Sequence, residues 1–219
     1  NYGDGFTTMY GADHEDIAYS YRTGNHGDGS WYSINGNIDY QRTSRKNKQR
    51  MITFSYKINT QPQTSNSNTG YEDIHAKEEV DDLVKRLLLK NSQSDGKTNT
   101  MEQTFQVDYT TPIGELHTVE AGAKYIFRRN TSDNKLYEAA GGSDDYLYNE
   151  DRSSDYRHLN HILAAYLGYT LKYKDFTFKP GVRYEQTVQR VKYIVGPGEN
   201  FHTNFSDLVP SVSLGMKLG

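Results

Sequence analysis

The feature that most constrains this chain is the stretch from His158 to Ile194, HLNHILAAYLGYTLKYKDFTFKPGVRYEQTVQRVKYI, which alternates apolar and polar residues through two arms. In the first arm Leu163, Ala165, Leu167, Tyr169, Leu171 and Tyr173 fall on one side. Ala164, Tyr166, Gly168, Thr170 and Lys172 fall on the other. A period of two belongs to an extended strand, whose successive side chains point to opposite faces. After the polar pair Lys174-Asp175, Phe176, Phe178, Pro180, Val182 and Tyr184 oppose Thr177, Lys179, Gly181, Arg183 and Glu185. The spacing predicts an antiparallel hairpin with one apolar and one polar, charged face.

Length gives the hairpin its meaning. Each arm alternates for about ten residues or more, against about five or six in an ordinary strand, and about nine to eleven tilted residues carry a strand across a bilayer. Tyr173 and Phe176 flank the turn and Tyr184 lies towards the far end, where aromatic rings suit a membrane–water boundary. Composition excludes the helical alternative: 34% of the 219 residues are hydrophobic, mean hydropathy is -0.88, and no run of about eighteen apolar residues exists. Alternation halves the apolar content of a strand, so the same figures are compatible with a membrane barrel. A net charge of -3 with scattered Lys and Arg points away from nucleic acid. Zero cysteines exclude disulfides and thiolate metal sites. The N-terminus Asn1-Tyr2-Gly3-Asp4 carries no signal-peptide pattern, so the segment reads as mature or internal.

In chain order the hairpin rhythm repeats. Residues 1 to 13 read as a loop or the end of a preceding strand, and a first strand lies near Glu15 to Arg22. Gly24 to Gly29 reads as a polar connection. Trp31 to Thr43 sets Tyr32, Ile34, Ile38 and Tyr40 against Ser33, Asn35, Asn37, Asp39 and Gln41, and Gln49 to Asn59 sets Ile52, Phe54, Tyr56 and Ile58 against Met51, Thr53, Ser55 and Lys57. Within a long polar loop from Thr60 to Asn99, Val80, Leu83, Val84, Leu87 and Leu88 lie at helical spacing with Asp81–Lys85 and Asp82–Arg86 pairs, predicting a short amphipathic helix over 76–90. This helix is a lid, a docking surface or a segment folded back onto its own loop. Strands over 101–111 and 116–129 flank the turn Pro112-Ile113-Gly114-Glu115, a second polar loop spans 130–157, and a third spans 196–206. The last strand sets Leu208, Pro210, Val212, Leu214, Met216 and Leu218 against Val209, Ser211, Ser213, Gly215 and Lys217.

About eight strands result, with short and long connections in alternation. Sorting of this kind fits an up-and-down transmembrane β-barrel, tight-turned on one side and long-looped on the other, and has no reason in a soluble sandwich. Asp39, Lys57, Asp108, Glu120, Lys124, Lys172, Lys179, Arg183 and Glu185 then face a wet lumen or a plug.

The segments AAYLGYTLKYKDFTFKPGVRYEQT, NFSDLVPSVSLGMKLG, NIDYQRTSRKNKQRMITFSYKIN and MEQTFQVDYTTPIGELHTVEAGAKYIFRRN together resemble the β-barrel region of TonB-dependent receptors, and more narrowly the outer-membrane β-barrel family common in Bacteroidetes. The resemblance covers most of residues 30 to 219. It implies a ligand-gated transporter of the Gram-negative outer membrane, with many more strands in the full barrel. It also implies an N-terminal plug that couples to an inner-membrane TonB-type energy-transducing complex. These residues hold no plug, coupling box or signal peptide, and the chain stops at Met216-Lys217-Leu218-Gly219 where such barrels usually end on an aromatic. The whole of 1–219 is therefore expected to be one internal slice of a barrel. Its partners would be outer-membrane lipid and a small nutrient: siderophore, haem, glycan or peptide.

Catalytic and metal signals in the sequence are weak, and no residue is assigned to a catalytic, cofactor-binding or metal site. His158 and His161, three apart, point to opposite faces of a strand. Asp144, Asp145, Glu150, Asp151 and Asp155, with Tyr146, Tyr148 and Tyr156, could bind calcium or a sugar but lack EF-hand spacing and read as a solvated outer loop. GNHGDG lacks the strand–turn–helix setting of a phosphate loop, and no GxSxG or HExxH motif supports an enzyme. Alternatives are a complete eight-stranded anchor or adhesion barrel, an outer-membrane hydrolase, and a soluble lipocalin-like binder with an apolar interior.

Overall fold

The computed structural model describes residues 2–11, 16–78, 81–85 and 89–217. Its strands are β1 (Tyr2–Tyr10), β2 (Ile17–Trp31), β3 (Ile34–Thr43), β4 (Met51–Ala76), β5 (Lys90–Ile113), β6 (His117–Ala140), β7 (Leu147–Tyr148), β8 (Ser154–Tyr173), β9 (Phe176–Val195) and β10 (Phe201–Met216), with a helical turn α1 (Asp81–Leu83). All ten strands join one sheet in the order β1-β2-β4-β5-β6-β8-β9-β10, with β3 also on β4 and β7 on β6. Every pairing is antiparallel.

The expected count of about eight equals the number on this path, but the membership differs: the expected strands near Glu15–Arg22 and over Trp31–Thr43 fall on β2 and the off-path β3, and β1 fills the eighth place. β1 occupies residues expected to be a loop or the end of a preceding strand, and the second of these holds. β2 runs straight through Gly24–Gly29, and the expected strand from Trp31 to Thr43 breaks at Tyr32-Ser33. β2 and β3 are collinear, since Trp31 pairs with Gln63 and Ile34 with Thr60 along the same side of β4. The expected first-strand residue Glu15 and last-strand residue Leu218 lie outside the described residues.

The polar stretches read as loops over 60–99 and 130–157 are mostly strand. β4 pairs with β5 out to Thr69↔Ser92, and β5 with β6 out to Lys90↔Ala140. Apolar alternation marks only the part of a strand that meets an apolar medium. Beyond it, backbone ladder bonds hold polar hairpins together with water on both faces. At about 3.3 Å per residue, the 26 residues of β4 far exceed what a bilayer needs. At the opposite end the connections are tight: Gly114 adopts φ 69 after β5, and Lys174 adopts φ 53 in the two-residue turn between β8 and β9.

The helix predicted over 76–90 is corrected. Ala76 ends β4 and Lys90 begins β5, and among the described residues between them Asp81–Leu83 are helical with Val84 and Lys85 in π form. The Asp81–Lys85 pair does form, at 2.9 Å. Val80, Arg86, Leu87 and Leu88 lie outside the described residues. The described part of the segment folds back, as one of the expected readings had it: Val84 is 0% and Leu89 5% exposed, and Gly141 N–H donates to the Lys85 carbonyl at 2.9 Å.

The sheet is inside out relative to a soluble one. Leu163 and Leu167 are 55% and 54% exposed, whereas Ala164 between them is 1% exposed. A small side chain buried beside large exposed ones means that side chains converge on the polar side, as on the concave face of a bent sheet. Thr104, Ile126, Ile162, Ala164 and Thr187 form the floor of that face. On the convex side the registers carry the row Tyr40–Phe54–Val107–Ala123–Ala165–Tyr184–Leu208 across seven strands.

Candidate functional site

The concave face is built by the even-numbered positions of β5, β6 and β8 and the odd-numbered positions of β3, β4, β9 and β10. One register row brings Asp39, Ser55, Gln106, Lys124, Ala164, Glu185 and Asp207 side by side, and the next holds Asp108, Gly122, Tyr166 and Arg183. All nine charged residues expected in the lumen therefore share this face.

Several are paired with one another. Lys179 Nζ lies 2.8 Å from Glu120 Oε2, a bridge that crosses β8 over Gly168, where an added Cβ would sit 3.6 Å from the Glu120 carboxylate. Arg183 donates to Glu185 at 2.8 Å, Gln106 to Asp108 at 2.9 Å, and Asn37 to Asp39 at 3.0 Å. The same face also carries Glu102 and Arg128, both inside the strands expected over 101–111 and 116–129, and they pair at 2.5 Å. The result is a wet, mixed-charge wall with a close-packed floor. Such a surface can hydrogen-bond a polar solute or a packed domain.

The two histidines do not converge. His161 is on the convex face, with Nδ1 2.7 Å from the Tyr125 hydroxyl and its ring 5.0 Å from that of Phe127. His158 is on the concave face, opposite Asn130 and Val191. Among the described residues no three His, Asp or Glu groups gather as a metal site.

The acidic stretch, expected to be a solvated loop, is pinned to the sheet. The short strand β7 pairs with Tyr137 and Glu138 of β6. Ser153, 1% exposed, donates to the Asn149 carbonyl at 2.6 Å and accepts from Leu136 N–H at 2.9 Å. Glu138 is the clasp: Asn149 donates to it at 2.7 Å, Lys90 lies 3.6 Å away, and Arg152 pairs with its other oxygen. Burial pushes the Glu138 carboxyl upward, but the Asn149 hydrogen bond and the charges of Lys90 and Arg152 outweigh it and hold the group below its ordinary value. Nearby, burial and then Asp144 push the Tyr146 hydroxyl up. Asn91 joins the same cap by accepting from Tyr71 N–H at 2.8 Å and donating to the Ser143 carbonyl at 3.0 Å. No sequence motif announces this cap, because its partners are brought together only by register.

The convex face carries aromatic rings at both limits of its apolar zone. Tyr56, Phe105, Tyr125 and His161 run across four neighbouring strands, with ring centroids 4.7, 6.4 and 6.1 Å apart. Near the tight turns, His117 and Tyr169 stack at 5.8 Å. From His117 to Phe127 the strand rises ten residues, or about 33 Å, which at a tilt of about 40° spans about 25 Å, the height of a membrane barrel's apolar band.

Comparison with known proteins agrees with this geometry. The model of the outer membrane protein beta-barrel family matches residues 42–219. No curated protein matches the chain. Solved structures similar to it include the ferric citrate transporter FecA in its unliganded form, at 14% identity and TM-score 0.42, aligned over 100% of this chain and 37% of the other. BauA, the ferric preacinetobactin receptor from Acinetobacter baumannii, aligns at 12% identity and TM-score 0.44 over 92% and 29%. The alcaligin outer membrane receptor FauA from Bordetella pertussis aligns at 13% identity and TM-score 0.42 over 100% and 39%. The chain thus spans less than two-fifths of the length of these structures.

Proposed function

This chain belongs to the outer membrane protein beta-barrel family, and from that premise we propose that it is the barrel portion of a TonB-dependent receptor of the Bacteroidetes type. The outer membrane is its location, with the convex apolar band in lipid. In this reading residues 1–219 form one region of a wider barrel, whose lumen imports a scarce nutrient of the siderophore, haem, glycan or peptide class. A plug outside this chain fills the lumen and couples it to the inner-membrane TonB-type complex. The protein acts by binding and conduction, not by catalysis, and uses no cofactor.

The observation that carries the reading is the sheet itself, apolar on its convex face and ion-paired on its concave face, with both edges open. Among the described residues β1 pairs only with β2, and β10 only with β9. Eight strands in line that do not close on each other favour a wide ring over a complete small anchor barrel, and the outward apolar face speaks against a lipocalin-like cavity. The test is accumulation by cells expressing the full-length protein of labelled ferric siderophore, haem, oligosaccharide and peptide, with and without a protonophore. The expected result is uptake of one class, abolished by the protonophore. Uptake of none above the deletion strain, or uptake indifferent to the protonophore, sinks the reading.

A further inference from the structure

A line of cations crosses the convex face immediately beyond the aromatic row. Two residues past Phe127 on β6 stands Arg129; four past His161 on β8 stands Arg157; and on β9 Arg190 and Lys192 follow Val188. The registers align Arg129 with Leu159 and Leu159 with Arg190, then Thr131 with Arg157 and Arg157 with Lys192. Lys97 of β5 lies beyond Arg129 on the same face, and His202 of β10 pairs with Arg190. Lys97, Arg129 and Arg157 line one cleft, with Asp133 and Asp155 also on its wall. All five Lys and Arg side chains are exposed, and among the described residues none has an ion-pair partner, while Asp133 is shared with Lys135 at 3.9 Å. The luminal cations at the same height behave differently: Arg128, one residue away, is paired with Glu102.

Height and face decide what these cations meet. Their registers place them two to six residues beyond the Phe127 row, at the end where the connections are long, so the surrounding medium is the headgroup layer of the outer leaflet. Cations held there attract lipid phosphate, and the planar guanidinium fork matches two phosphate oxygens at once. The chain as a whole is acidic, at -3, so five unpaired cations gathered on one face within three successive register rows are not the average surface.

We propose that Arg129, Arg157 and Arg190, with Lys97 and Lys192, form a binding site for the phosphorylated headgroup of an outer-leaflet lipid. The site rests on the membrane orientation given under Proposed function, and it is independent of what is transported. The test uses the full-length protein in phosphatidylcholine nanodiscs doped with bisphosphorylated lipid A or with its dephosphorylated form, counting retained lipid by native mass spectrometry. The wild type is expected to retain the phosphorylated form only, and the triple variant R129Q/R157Q/R190Q to lose on the order of tenfold or more of that retention. Arg45→Gln with Lys46→Gln, at the opposite end, is expected to retain it unchanged. Millimolar inorganic phosphate is expected not to displace the lipid. Equal retention by the triple variant, equal retention of the dephosphorylated lipid, or full displacement by inorganic phosphate overturns the site. A wild type that resists alkaline extraction yet selects no lipid leaves the membrane reading standing and removes this inference alone; a wild type that does not insert removes both.

Discussion

At the scale of single residues, Glu138 shows how a long polar hairpin is kept in one shape. Its side chain is 9% exposed, and an acid so placed is tolerable only because Asn149, Lys90 and Arg152 satisfy it. With its carboxyl held below the ordinary value of 4.5, the stabilisation is fully present above that pH and is lost as pH falls through the lower folded value. Hydrogen exchange over 141–153, corrected for intrinsic rates, is therefore expected to accelerate as pH falls below 4.5 and through the lower folded value. Glu138→Gln should produce that acceleration at neutral pH, corresponding to about 1–3 kcal/mol of local opening, and should flatten the acid dependence. Gly122 makes a different point. An added Cβ would strike the Tyr166 ring and approach the Val107 carbonyl at 2.7 Å, so the ring covers bare backbone across the strand pair. Gly122→Ala is expected to lower resistance to urea unfolding, and Tyr166→Ala in the same chain to recover it only in part, because the backbone carbonyl remains.

At the scale of strands and turns, the two faces obey opposite rules. Leu167 lies midway between the aromatic rows on β8, where an arginine would meet lipid at a cost of about 2–4 kcal/mol. Asn37, exposed on the concave face beside Asp39, meets water. Folding into lipid vesicles followed by urea titration is thus expected to show Leu167→Arg strongly destabilised and Asn37→Arg near wild type; equal losses would mean that the faces are assigned wrongly. This division was legible in the sequence, because lipid imposes alternation on every strand that crosses it. Strand extent was not legible past that zone. Nothing in SNSNTGYEDI or SDGKTNT distinguishes a polar ladder from a polar loop, since both faces of the projecting hairpins meet water and only cross-strand pairing decides. The helical spacing at Val80–Leu88 is met among the described residues by the helical turn at Asp81–Leu83, with Val84 beside it fully buried.

At the scale of the molecule, sidedness follows from the unequal ends of the sheet. At one end the strands stop within a few residues of the apolar band, at Ser44–Arg50, Gly114–Leu116 and Lys174-Asp175; at the other they project well past it and carry the Glu138 clasp and the Val84 fold-back. Extended segments belong outside the cell and tight turns in the periplasm. Residues 1–219 hold no cysteine, so each introduced thiol is read against the unsubstituted full-length protein. In intact cells a membrane-impermeant maleimide is expected to label Asp145→Cys and Asp95→Cys, to spare Arg45→Cys until the outer membrane is opened, and to spare Leu167→Cys even then, because that position is in lipid and not merely on the far side. Labelling of Arg45→Cys in intact cells with protection of Asp145→Cys would invert the barrel. It would also move the cations at Arg129, Arg157 and Arg190 to the periplasmic leaflet, so one set of thiols fixes both the direction in which a nutrient would travel and the leaflet whose phosphates the convex face can meet.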